Sequence, residues 1–439
     1  MSDERPDGAR GRFMDSLSQS QWLPERDWPL YQRRLLERLV RHAYTETEFY
    51  RDVLSVLFRS DGTIDWDRWP EVAILTRELA QSRTERLKAA TVPDIVGQCT
   101  EGQTSGSTSR VFRFLTDDLA KLASYCLSLR FYGWHGVDPA ASNGVIKSYF
   151  GDTPPLYPHG SHSRGWHHEA PDADYFRLHI SATIDEQIEW IERRRPAYLT
   201  TYPSNMLELG RVMGAERARR LGLRGYFSYG EAYDDDARHC IEDVFGVPMM
   251  DRYGASEVGQ VSAQCPLSTR QHVAMENVLL ELVDDEGNAV APGKAGRIVV
   301  TAFYNYSMPF IRYDIGDFAI LSDGPCPCGR TLPTIERIVG RARCLFRFKD
   351  GSTVWPDTKS VEINRFVPHT QLQVVQCDLD RIEVRIVPVS ADQTEDHDGL
   401  RNYFRKRLHP SLDVEVVRLE RILRAPSGKF FDYYSQVSG

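Results

Sequence analysis

Apolar residues recur at helical spacing early in the chain. Over residues 23–56, Leu35, Leu36, Leu39, Val40 and Tyr44 share a face with arginines between them, which predicts one or two amphipathic helices. Further on, short apolar runs alternate with amphipathic stretches. Residues 144–150 read as a strand. Residues 183–195 read as a helix, with Ile184, Ile188 and Ile191 on one face and Ser181 or Thr183 as N-cap. A strand at 197–202, a helix at 204–213, a strand at 223–229, a helix at 234–245 closed by Gly246, and a strand at 247–253 follow. This repetition predicts a mostly parallel α/β sheet, whose ligands lie at the carboxyl ends of the strands.

From Glu276 the texture changes. Residues 278–283, a turn at 284–288 and residues 297–301 read as an antiparallel segment. After Gly340 come strands at 371–376, 381–387 and 414–419 with a helix near 400–408. The expected fold is therefore a large N-terminal α/β domain, 21–340, with parallel sheets and an antiparallel segment. A small α+β domain, 341–439, follows it, and residues 1–20 are expected to be a disordered leader.

Composition narrows the function classes. The 439 residues are 41% hydrophobic and 26% charged, as in soluble globular proteins, and the formal net charge is -8. That charge gives no global attraction to nucleic acid or anionic membrane, so any phosphate must be held by local geometry. No apolar run approaches a bilayer-spanning length, and the polar N-terminus lacks a signal-peptide core. Eight cysteines without export signals suit a reducing compartment, so a cytoplasmic location is expected.

Four short motifs carry chemistry. Thr104, Ser105, Gly106, Ser107 and Thr108 form a run of small and hydroxylated residues, ending at Ser109 and Arg110. Glycine lets backbone amides approach an anion and hydroxyls add donors, although most such runs are linkers. Tyr253-Gly254-Ala255-Ser256-Glu257-Val258-Gly259 offers a ring to cover a purine, a hydroxyl for phosphate and a carboxylate for Mg²⁺; its plainer reading is a strand-ending turn. Arg312-Tyr313-Asp314-Ile315-Gly316-Asp317 places a carboxylate behind a glycine turn, where it can accept ribose hydroxyls, and a turn is again the plainer reading. Pro426-Ser427-Gly428-Lys429 puts a lysine on a flexible turn, a mobile charge for a transition state or simply a solvated tail residue.

In that order the motifs resemble the adenylate-forming superfamily of acyl- and aryl-CoA synthetases. The narrower resemblance is to the phenylacetate–CoA ligase branch, through residues 42–50, 308–313, Cys326-Pro327-Cys328-Gly329-Arg330 and Ile338-Val339-Gly340-Arg341. It runs from about Leu23 to Lys429. It implies that Thr104 to Thr108 hold the β- and γ-phosphates and that Gly230, Glu231 and Ala232 line the adenine, with Tyr253 and Gly254 against it. Ser256 and Glu257 would serve phosphate and Mg²⁺, Asp317 the ribose, Arg341 the ribose or phosphate, and Lys429 the adenylation step. Two positions depart from the family: Ser109 stands where glycine is usual, and Arg343 stands at the hinge where an acidic residue or lysine is common. The hinge difference leaves the second half-reaction open.

Cys265, His272, Cys326 and Cys328 have the ligand types of a structural zinc site, with buried free cysteines as the alternative. His159, His162, His167 and His168 fall in a Gly/Pro/Ser-rich stretch at 157–170, expected to be a polar loop or a gate over the acyl pocket. The pocket itself is expected to use Tyr202, Ser204, Phe227, Ser228, Gly254 and Gly259, aromatic and small residues suited to a flat aryl acid. The expected reaction is ATP- and Mg²⁺-dependent activation of a carboxylic acid, expected to be aromatic, to an acyl-adenylate that passes to coenzyme A. The alternatives are transfer to a carrier-protein thiol, an amine or another nucleophile, and a catalytically silent nucleotide-binding regulator. Neither nucleic acid nor membrane is an expected partner, and a homodimer is compatible with the sequence.

Overall fold

The computed structural model describes residues 6–104, 112–149, 153–341, 344–356, 358, 360–425 and 428–437. Two compact units emerge, one of residues 1–137 and 251–339, the other of 138–250 and 340–439.

The first unit is built on a seven-stranded sheet in the order Val278–Val283, Ala295–Ala302, Tyr313–Leu321, Thr334–Arg341, Gln271–Val273, Gly259–Gln264, Arg252–Ala255. The antiparallel pairing of Val278–Val283 with Ala295–Ala302 matches the expected segment. Against it lies the helix Trp28–Glu46, whose buried Trp28, Gln32, Leu36, Leu39, Val40 and Ala43 recur at helical spacing. Thr47 ends it: its hydroxyl donates to the Ala43 carbonyl at 2.7 Å and accepts the Tyr50 N–H at 3.1 Å. One residue thus closes one helix and caps the next, Glu48–Val53. A separate ribbon pairs Cys99–Thr104 with Phe112–Asp117 antiparallel; the hydroxyl-rich residues 105–109 lie outside the described residues.

The leader expected to be disordered is instead a helix, Pro6–Ser20. Leu17 is 1% exposed, and the Ser20 hydroxyl donates to Glu276 Oε1, which also takes Arg130 Nη1 at 2.6 Å. A fully buried ion pair left short of donors is costly, and Ser20 supplies one from the N-terminal helix. The sequence signal was hidden because only one face of that polar helix is apolar.

In the second unit a six-stranded sheet runs Ser161–Arg164, Asp174–His179, Asn143–Lys147, Tyr198–Thr201, Gly225–Ser228, Met249–Met250, parallel apart from the first strand. The helices Ile184–Arg194, Pro203–Arg219 and Asp235–Phe245 cover it. Thr183 and Glu186 form a reciprocal capping box, which settles the N-cap on Thr183. Ile188, Met206, Leu209 and Phe245 from the helices pack with Ile146, Leu178, Leu199 and Tyr226 from the strands. Residues from the expected histidine loop are not all loop: Ser161–Arg164 pairs antiparallel with Asp174–His179, and His162 bonds Asp174 at 2.7 Å.

The strand expected at 247–253 is two strands in two sheets. Met249–Met250 closes the parallel sheet and Arg252–Ala255 opens the antiparallel one. At the break, the Asp251 N–H donates to Gln264 Oε1 and the Asp251 carboxylate accepts from Gln271. Period-2 patterning cannot see such a switch, because the two-residue strand Met249–Met250 is too short to show a period. The C-terminal residues form a four-stranded sheet in the order Asp413–Arg418, Arg381–Pro388, His369–Asp378, Tyr433–Ser435, with the helix His397–Arg407 packed through Leu400 and Phe404 on a core of their own.

Candidate active site

In the second unit the site gathers where the parallel strands end. Gly230 follows Gly225–Ser228 with φ +71°, and a Cβ there would lie 3.4 Å from Lys429 Cε. Lys429 is therefore beside the turn that carries Glu231 and Ala232. The Glu231 carboxylate, its side chain 5% exposed, holds that arrangement. Its Oε2 accepts the Ser204 N–H at 3.1 Å, and its Oε1 accepts the Phe430 N–H, with Arg424 Nη1 at 3.4 Å. Arg424 Nη1 also donates to Ser204 Oγ at 2.8 Å and to the Gly428 carbonyl at 3.2 Å. Burial raises the Glu231 pKa, while Arg424 and the N–H donors oppose that rise.

Gly428 is required by space as well as conformation. Its φ is +79°, and a Cβ would fall 2.7 Å from Tyr202 Oη. Tyr202 is 1% exposed and accepts the Ser148 N–H at 3.2 Å. Phe227, expected in the pocket, lies in the sheet core with its ring 5.5 Å from Tyr198. The residue after Ser228, Tyr229, is the exposed aromatic at this strand end.

The first unit brings together Tyr253, Glu257 and Asp317. Tyr253 Oη donates to Asp317 Oδ2 at 2.7 Å, so the residues expected at the base and at the ribose are joined directly. Glu257, buried in the turn after Arg252–Ala255, receives Arg77 Nη1 and Tyr313 Oη, each at 3.3 Å on Oε1. Arg77 was not foreseen, since nothing in the sequence links it to a carboxylate 180 positions away. Gly254 and Gly259 serve close backbone approach: a Cβ on Gly254 would meet the Gly259 carbonyl at 2.3 Å, and one on Gly259 would meet Ser124 Oγ at 2.2 Å. Ser256 is exposed in the same turn. Thr104 ends its strand and Arg341 ends Thr334–Arg341. Ser105, Gly106, Ser107, Thr108 and Arg343 lie outside the described residues.

The four metal-type residues converge. The ligand atoms of Cys265, His272, Cys326 and Cys328 all lie within 4.8 Å of one another. His272 Nε2 is 3.1 Å from Cys328 Sγ, and Cys326 and Cys265 sulfurs are 3.5 Å apart. His272 Nδ1 is 3.2 Å from the Leu332 carbonyl, the partner that would leave Nε2 unprotonated for a metal. Burial pulls the His272 pKa down to about 4, which favours the neutral imidazole a metal needs. Three thiols and one imidazole gathered this closely fit a structural Zn²⁺.

No family model matches the chain. Curated relatives do: it is 29% identical over 214 residues to the phenylacetate–coenzyme A ligase of Thermus thermophilus, covering 46% of this chain and 47% of that one. It is 27% identical over 263 residues to the enzyme of the same name from Escherichia coli, covering 55% and 58%. The chain thus spans about half the length of the curated relatives it matches. Among solved structures, 2-hydroxyisobutyryl-CoA ligase in the postadenylation state superposes with a TM-score of 0.71 at 20% identity, over 92% of this chain and 89% of that one. The fold is that of the adenylate-forming ligases. An anthranilate CoA ligase in complex with anthranoyl-AMP shares the adenylate-forming fold more distantly, with a TM-score of 0.53 at 14% identity over 75% of this chain and 65% of that one. No helix among the described residues is long and apolar enough to cross a membrane.

Proposed function

We propose that the protein activates an aromatic carboxylic acid with ATP and passes the acyl group to coenzyme A. A carboxylate oxygen of the acid attacks the α-phosphorus, the bond to pyrophosphate breaks, and an acyl-adenylate forms. The carboxylate is already a competent nucleophile, so the protein's work is positioning and charge neutralisation. The observation that carries this reading is Lys429 packed beside Gly230, with its turn tied to Glu231 through Phe430 and Arg424. In this reading the Lys429 ammonium neutralises the charge that grows on the α-phosphate. Gly230, Glu231 and Ala232 border the adenine, Tyr253 covers it and Asp317 takes the ribose. Ser256, Arg341 and the loop from Thr104 to Thr108 attend the phosphates.

Glu257, held by Arg77 and Tyr313, is the carboxylate that would hold a Mg²⁺ accompanying ATP, and that ion would offset phosphate charge. A structural Zn²⁺ belongs on Cys265, His272, Cys326 and Cys328. Residues 341–439, with a core and sheet of their own, are assigned as the mobile domain and Arg343 as its hinge. Tyr202, Ser204 and Ser228 with Gly254 and Gly259 remain assigned to the acid, in a cytoplasmic enzyme. The relatives named phenylacetate–coenzyme A ligase and the fold neighbour named with 2-HIB-AMP and CoA in the thioesterification state support coenzyme A as acceptor.

The test is pyrophosphate release across a panel of aryl and alkyl acids, followed by product analysis with and without coenzyme A. Release with aryl acids and a thioester product is the expected result. No release with any acid would leave a silent nucleotide binder, and release without thioester would point to another acceptor.

A further inference from the structure

The strand ends of the parallel sheet hold a cationic group that the reaction above does not use. Lys147 closes Asn143–Lys147, and its ammonium lies 5.3 Å from the Tyr149 ring centroid and 5.0 Å from that of Tyr229. Among the described residues it has neither an ion pair nor a hydrogen bond. Next to it, on Asp174–His179, Arg177 donates to Ser161 Oγ at 3.1 Å and Ser163 Oγ at 3.2 Å, and it too meets no carboxylate there. Two neighbouring cations without a counter-charge are unfavourable in a half-buried site, and burial with Arg177 pulls the Lys147 pKa below its ordinary value.

The walls are aromatic. Burial raises the Tyr149 pKa, and Tyr175, Tyr229 and Tyr202 are near enough to add to that rise; the Tyr202 and Tyr229 ring centroids are 5.4 Å apart. Among the described residues, Tyr149 Oη is buried without a hydrogen-bond partner. A buried hydroxyl left without a partner is unfavourable unless a ligand supplies one. Aromatic faces of this kind pack favourably against an aryl ring, and an oxygen anion on that ring would satisfy both the phenol and the ammonium.

We propose that Lys147 and Tyr149 recognise a second acidic group on the aromatic acid, so that the preferred substrates are aryl acids carrying another carboxylate. This rests on the acid-activating reading above and names its substrate class. Two other anions could meet Lys147: the reacting carboxylate itself, or a phosphate of the nucleotide.

The experiment compares matched acids, benzoate against terephthalate and phenylacetate against 4-carboxyphenylacetate, with the full chain and with K147M and Y149F. Pyrophosphate release gives kcat/KM for each acid and KM for ATP, and calorimetry without ATP gives acid binding independently of turnover. The expected result is a preference for the dicarboxylate in the parent that falls roughly tenfold or more in K147M and by a smaller factor in Y149F. An unchanged ratio in K147M overturns the proposal. So does an equal loss for every acid, which would place Lys147 on the reacting carboxylate, or a raised KM for ATP across the panel, which would place it on phosphate. Lys147-dependent binding of the dicarboxylate without pyrophosphate release would uphold the recognition site while sinking the adenylation reading.

Discussion

The corner around Glu257 and the turn around Lys429 are held in different ways. Around Glu257 the backbone itself is committed: Arg252–Ala255 and Gly259–Gln264 pair antiparallel, and Gly254 and Gly259 leave no room for a side chain. Lys429 sits on a turn without such a ladder. Among the described residues, the side-chain ties of that turn converge on one buried carboxylate, Glu231, reached by Phe430 and Arg424, with Arg424 also bonded to Gly428 and Ser204. A site built from paired strands loses little when one side chain goes, whereas a site pinned by one carboxylate should lose its alignment at once. That contrast ranks the variants.

Lys429→Ala should be the most damaging. Removing a cation that acts only as charge builds should slow pyrophosphate release on the order of a hundredfold or more, with KM for ATP moving less. Single-turnover quench measurements read this directly, and parity with the parent would remove the lysine from the mechanism.

Glu231→Ala comes next, because it takes away the acceptor for Phe430, Ser204 and Arg424 together. Arg424, left without its buried partner, should no longer order the turn. We expect roughly a thirtyfold fall in kcat, with Glu231→Gln falling between Ala and the parent. Arg424→Ala should lose less, about tenfold, since the N–H donors to Glu231 remain. If Glu231→Ala matched the parent in kcat while unfolding at a lower temperature, the carboxylate would be a fold element and not a positioning group.

How much of this was legible beforehand depended on whether the signal was local. The helix from Thr183 onward, the Val278–Val283 hairpin and the glycine turns announced themselves in short windows, because caps and periodicity act over a few residues. Lys429 and Glu231 were both found through motif order, yet their connection through Arg424 was not. A guanidinium reaching 193 positions back along the chain leaves no spacing to read. Arg77 on Glu257 and Ser20 on Glu276 were missed for the same reason. The sheet switch at Asp251 escaped because the strand before it, Met249–Met250, is too short to show a period. The Cys265, His272, Cys326, Cys328 set was found despite its separation, since sulfur and imidazole ligands are few and conspicuous by type.

The metal cluster sharpens the comparison from the rigid side. Chelation, or Cys328→Ser, should remove about one zinc per chain and lower the melting temperature by roughly 5 °C. Activity below that temperature should fall only modestly, because these ligands touch none of the groups assigned to the nucleotide. Metal analysis of the purified protein that found no zinc would leave four free ligands and end the assignment.

Tyr253→Phe should have the smallest effect. The ring that would cover the base is retained, and the bond from Tyr253 Oη to Asp317 Oδ2 is lost. Asp317 is buried, so it loses a donor there, but the ribose hydroxyls assigned to it can restore hydrogen bonds once nucleotide binds. KM for ATP should therefore rise only about two- to fivefold with kcat nearly constant, the signature of a group that orders the free enzyme and contributes little to the transition state. A fall in kcat as large as that of Glu231→Ala would mean the strand-built corner is no more tolerant than the pinned turn, and the contrast between them would collapse.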